Sequence, residues 1–179
     1  MGPRLLFICL FIFSFSYSQK GNLPYIIVLG TIQDAGSPHM GCEKPCCISL
    51  FEAPDPNRKV VSLGLVDPLE KKYWLIEASP DFITQCRDLK TISKFEHAKS
   101  PDGIFLTHAH IGHYTGLMYL GKESYNSVAV PVFAMTRMKG FLIQNGPWSQ
   151  LFKINNIKIN NINKSSLRHK ALSRYIVIA

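Results

Sequence analysis

Acidic residues run out at Glu123. From Ser124 to Ala179 there are eight Lys and Arg but neither Asp nor Glu, whereas Met1 to Glu123 holds 12 of the 20 basic residues and all 12 acidic ones. Any carboxylate that serves as ligand, acid or base must therefore come from the first two thirds of the chain. The net charge of +8 belongs to the last third, yet its cations are scattered among Asn, Ile and Ser. Without interleaved aromatic residues they do not make the stacking platform of a nucleic-acid surface. Beyond the amino-terminal residues no apolar run is long enough to cross a bilayer, which excludes a spanning segment there. No stretch repeats, which excludes solenoids and propellers. Charged residues make up only 18% of the chain against 46% hydrophobic, the composition of one globular domain with a core of its own.

The apolar run that does occur is short and comes first. Arg4, then Leu5 to Phe13, then Ser16-Tyr17-Ser18 ahead of Gln19 have the charge, apolar core and small-x-small ending of a secretory signal peptide over residues 1–18. Export to a periplasm or beyond is the expectation, with no stable membrane insertion after cleavage. Cys9 would leave with that segment, so the mature chain keeps Cys42, Cys46, Cys47 and Cys86. Three of these crowd into Gly41-Cys-Glu-Lys-Pro-Cys-Cys47, just after His39. An even count in an oxidising compartment suggests disulfides, while three thiols in six residues suit a structural zinc. Cys86 recurs with Phe82, Ile83 and Leu89 at helical spacing and is expected in the core.

Three of the six histidines fall in His108-Ala-His-Ile-Gly-His113, directly after the apolar run Gly103 to Thr107. Alternation along an extended strand points His108 and His110 the same way, and Gly112 lets the chain turn so that His113 returns towards them. Three neutral imidazoles at this spacing are a divalent-metal signature, for zinc or for iron. The surrounding elements place it at a strand-to-helix junction. Strands are expected over Leu23–Leu29, Val60–Val66, Lys72–Ala78, Gly103–Thr107 and Val128–Ala134, the second and third forming an antiparallel hairpin. Pro131 argues for an edge or bulge position for the last of them. Ser79-Pro80-Asp81 reads as a helix start with Ser79 as N-cap, and Thr136 to Gln144 as a short helix. His97 sits in a polar connection and is expected to face solvent. Asp34, in the loop after the first strand, and Asp81 are the candidates for orienting ligands or moving protons. The element order describes an α/β or layered α+β domain.

His-x-His-x-x-His after an apolar strand, the early Val28-Leu-Gly-Thr31 and the strand Trp74-Leu-Ile-Glu-Ala-Ser79 together resemble the amino-terminal half of the metallo-β-lactamase superfamily. Leu29 to Cys42 and His108 to Gly116 are similar to the branch that contains pyrroloquinoline quinone biosynthesis protein B. The resemblance covers about residues 23–156. It implies an αββα sandwich with the metal site at one edge between two sheets, and a structural zinc on Cys42, Cys46 and Cys47. It also implies a small-molecule substrate and a metal-bound water or activated oxygen as the reagent. Many members carry Asp, a ligand of a second metal, where this chain has Gly112, which implies a single or differently held ion. The second half of that fold brings further ligands, and nothing after His113 matches them, the only later histidine being His169. The expectation is therefore a sandwich truncated to its first half, with residues 157–179 a basic tail outside the fold. Two functions follow: an exported metal-dependent hydrolase, or an inactive remnant with an incomplete metal site.

Overall fold

The structure, a computed structural model, describes residues 23–95 and 99–163. The signal segment with Cys9, His97, His169 and residues 164–179 lie outside the described residues.

Chain order becomes sheet order. Strands β1 (Tyr25–Gly30), β2 (Ser62–Asp67), β3 (Lys72–Ile76), β4 (Gly103–Leu106), β5 (Val130–Met135) and β6 (Ile157–Ile162) form one six-stranded sheet in the order β1-β2-β3-β4-β5-β6. The expected hairpin is present: β2 and β3 pair antiparallel, Leu63 opposite Ile76 and Asp67 opposite Lys72. From β3 onward the strands run parallel. The helices supply the crossovers that parallel pairing requires: α2 (Phe82–Ser93) between β3 and β4, then α3 (Ile111–Tyr114) with a 3-10 turn (Thr115–Leu120) between β4 and β5. Between β5 and β6 come α4 (Thr136–Gln144) and α5 (Trp148–Lys153), while α1 (Pro45–Glu52) lies between β1 and β2.

Alternation along the strands explains the layering. Val66, Tyr73, Leu75, Ile104, Val132 and Ile159 are buried beneath α2, the 3-10 turn, α4 and α5, each contributing roughly 1.5–3 kcal/mol through burial. The intervening Ile76, Phe105 and Phe133 are half-buried on the other face, where Ile26 and Val28 are 62% exposed. Among the described residues there is one sheet, the α/β half of the expected sandwich.

Four expectations change. Pro131 is not at an edge, since β5 lies between β4 and β6; the ladder with β4 begins at Val132, one residue past the proline. Ile157–Ile162, placed by composition in the basic tail, is β6, paired along its length with β5. Helix α2 begins at Phe82 with Asp81 as N-cap. Ser79 instead turns the chain ahead of it, accepting the Asp81 N–H at 3.1 Å and donating to buried Gln85 at 2.7 Å. Gly112 is helical, and its missing side chain serves a close approach described below.

A candidate metal centre at the carboxyl ends of β3 and β4

Residues that leave parallel neighbouring strands at the same end converge. Ile76 is opposite Phe105, so Glu77 and Thr107 emerge side by side, and the Thr107 N–H donates to the Glu77 carboxylate at 3.2 Å. Glu77 has the left-handed backbone of φ +73°, a strained conformation for a residue with a side chain. Its side chain is buried, with the carboxylate between the Thr107 N–H and the His113 ring. From Thr107 the chain runs through His108 and His110 into α3, which is anchored by the Ala78 N–H to the His113 carbonyl at 2.9 Å.

Asp34 reaches the same place from β1. Its loop is fixed at Ile32, whose carbonyl accepts the Val61 N–H at 2.8 Å. Val60 beside it is gripped by α2: Asp81 accepts its N–H at 2.7 Å and Gln85 donates to its carbonyl at 2.7 Å. Asp34 then lies against Gly112, where a Cβ would stand 2.6 Å from the Asp34 Cα. Only glycine leaves room for this loop.

The ligating atoms of Asp34, His108 and His113 all fall within 4.8 Å of one another. His110 is beside this group rather than in it. Its ring is 4.5 Å from that of His108 and 6.5 Å from that of His113, its side chain is 72% exposed, and its Nδ1 is 3.4 Å from the Asp34 carboxylate. Asp81 is outside this group, at the start of α2, where it accepts the Val60 N–H. Glu77 is the residue that sequence reasoning missed; its only signal was a carboxylate closing an apolar strand.

Tautomers test whether an ion fits. His113 Nε2 meets Asp34 at 3.2 Å and its buried Nδ1 meets Glu77 at 3.5 Å, too far for a formed hydrogen bond. In the neutral ring with its proton on Nε2, the Nδ1 lone pair faces the Glu77 carboxyl. With a cation on Nε2, the proton moves to Nδ1 and points at Glu77, so both nitrogens are served, the usual carboxylate–histidine–metal arrangement. His108 offers the same choice, its Nδ1 taken by the Thr107 hydroxyl at 2.7 Å. The charge states agree. Desolvation within the cluster, with the His113 and His110 rings, holds His108 below the ordinary imidazole range against the pull of Asp34, which favours the neutral ligand. Desolvation raises the Asp34 carboxyl, but its backbone hydrogen bond and the His113 and His110 rings outweigh that and keep it below the usual range, an anion. Burial pushes Glu77 above its usual range, opposed by Thr107 and His113.

A second group lies in the first turn of α1 and the loop before it. The Sγ atoms of Cys42, Cys46 and Cys47 are within 4.8 Å of one another, and the four described cysteines are free thiols. Three thiolates at this spacing fit a zinc ion. His39 bonds the Met40 carbonyl at 2.9 Å and is outside the group. Cys86 packs against the core, where burial pushes its thiol up to about 12.

A sheet of this order that delivers His-x-His-x-x-His from the end of an inner strand defines the class: the chain has the metallo-β-lactamase fold. Among solved structures it is similar to zinc-bound PqqB from Methylobacterium extorquens, with 22% identity over 79% of this chain and 50% of that one and a TM-score of 0.58. It is also similar to a diphosphatase of the PhnP family, with 23% identity over 78% and 50% and a TM-score of 0.55. The chain spans half the length of either. No family model and no curated protein matches the sequence.

Proposed function

We propose that this chain is an exported, metal-dependent hydrolase of small molecules, with zinc on Asp34, His108 and His113. The observation that carries the reading is the convergence of those three donors within 4.8 Å. Zinc held there supplies a water acidified to a pKa of about 7 and a Lewis acid for a carbonyl or phosphoryl oxygen. The protein does the rest. Asp34 remains anionic and offsets the charge, and Glu77 holds the Nδ1 proton of His113 and with it the ring's orientation. His110 stands exposed beside Asp34 at the mouth of the site. Cys42, Cys46 and Cys47 hold a second, structural zinc that ties α1 to its loop. The zinc in the PqqB structure supports the choice of metal, and the composition of residues 1–18 supports export.

One observation favours a second reading. Two histidines and one carboxylate are also the donor set of non-haem iron(II) oxygenases, which would make the reaction a hydroxylation. The test covers both. Purified chain is assayed for metal content, then for turnover of an ester, lactam and phosphodiester panel with and without oxygen. About one zinc at the histidine site, lost in His108→Ala, with oxygen-independent turnover, is the expected result. Iron with oxygen-dependent consumption selects the second reading. Substoichiometric metal and no turnover overturn both in favour of an inactive remnant.

A further inference from the structure

Parallel pairing of β4 with β5 puts Leu106 opposite Ala134, so the segments that follow leave the sheet as neighbours. Thr107 and His108 from one and Met135 and Arg137 from the other line a cleft of about 400 Å³, closed by Met138 and Phe141 of α4. Its walls are mostly apolar, and Thr107, His108 and one charged residue, Arg137, are among the residues that border it. Arg137 is exposed and has no ion pair among the described residues. No carboxylate lines the cleft, and after Glu123 the chain has none to offer. Met135 is 58% exposed at the rim. An apolar slot with one uncompensated, fork-shaped cation, bordering a prospective metal ligand, is built for a particular ligand chemistry.

We propose that this cleft binds an organic anion whose apolar body lies along Met135, Met138 and Phe141. Its carboxylate or phosphate is held by Arg137 through paired N–H···O bonds. Arg137 then determines specificity: it selects substrates with an anionic group remote from the bond to be cleaved and points that bond towards His108. The inference rests on the hydrolase reading for its role in turnover, but not for binding.

The experiment separates the two. Benzoate, phenyl phosphate and neutral benzyl alcohol are titrated by NMR into the purified chain, with metal and after chelation, and into Arg137→Gln and Arg137→Lys. Expected is binding of at least one anion, persisting without metal, weakened about 10-fold or more in Arg137→Gln and partly restored in Arg137→Lys, with benzyl alcohol binding far more weakly. Whichever of benzoate and phenyl phosphate binds more tightly identifies the anionic group. Equal affinity in Arg137→Gln, equal affinity for benzyl alcohol, or dependence of all anion binding on the metal overturns the proposal. Arg137-dependent binding in a chain without turnover sinks the hydrolase reading alone. Turnover with anion binding indifferent to Arg137 sinks this inference alone. Because Arg137 is exposed, its replacement does not threaten the fold.

Discussion

Replacing Gly112 by Ala puts one methyl group where the Asp34 loop already lies. The new Cβ would be 2.6 Å from both the Cα and Cβ of Asp34 and 2.8 Å from its carbonyl oxygen. Carbon atoms rest about 3.5 Å apart, so one partner must withdraw by about 0.9 Å. Helix α3 is held on both sides of residue 112, by the His113 N–H to His110 and the Ala78 N–H to His113, each at 2.9 Å. The Asp34 loop therefore gives way. Its bond to His113 lengthens from 3.2 Å to about 4.1 Å, beyond hydrogen-bond range, and the carboxylate leaves the donor set. Overpacking of this size costs about 1–3 kcal/mol, and a misplaced ligand or orienting group about 10–100-fold in metal affinity. Competition against a chromophoric zinc chelator reads the affinity, and scanning fluorimetry reads the stability. Zinc bound as tightly as by the unaltered chain, with an unchanged Tm, would refute the placement of Asp34 against Gly112 and with it the three-donor centre.

Glu77→Gln keeps an acceptor for Thr107 but loses the anion facing His113, so zinc affinity should fall about 10–100-fold. Burial raises Glu77 above its ordinary 4.5, so in the metal-free chain this group holds its proton to a higher pH folded than unfolded. That increment is present at low pH and lost as pH rises through the raised value, and it should be absent from metal-free Glu77→Gln in urea melts across pH. Asp81→Ala removes the acceptor of the Val60 N–H and should cost about 1.5–3 kcal/mol. Turnover per bound metal should be unchanged, whereas a proton-moving Asp81 would lose turnover at full metal occupancy. The Cys86 thiol, raised to about 12 by burial, contributes stability that is complete below about 9 and is lost as pH climbs from there to 12. A matched alkaline melt of Cys86→Ala should lack that fall, and an equal fall in the variant would place its origin elsewhere.

Local patterns were legible and long-range meetings were not. The β2–β3 hairpin and the bounds of α4, Thr136 to Gln144, follow from periodicity and turn residues a few positions apart. The histidine spacing pointed to a cluster of prospective metal ligands, but alternation alone could not show that α3 begins at Ile111 and leaves His110 outside the convergent group. Glu77 required the β3–β4 register, a pairing between residues nearly thirty positions apart. Asp34 was marked as a site residue without a partner; its position depends on the bridge from Ile32 to Val60 and on the empty space at Gly112. In β6 the alternating Ile157 and Ile159 were present in the sequence, but Lys158 and a pair of asparagines gave the segment the look of the basic tail. Helix α1 was hidden because its cysteines read as ligands first.

Each strand of the sheet has its sequence predecessor as a neighbour, so the sheet can be laid down one strand at a time as the chain emerges from a ribosome or an export channel. Every new strand finds a template already in place. The residues of the site arrive on that schedule: Asp34 with the first strand, Glu77 with the third, His108 and His113 with the fourth. An ion captured at that moment would bind a loop made 74 residues before His108 and close the assembled part of the sheet before β5 and β6 exist.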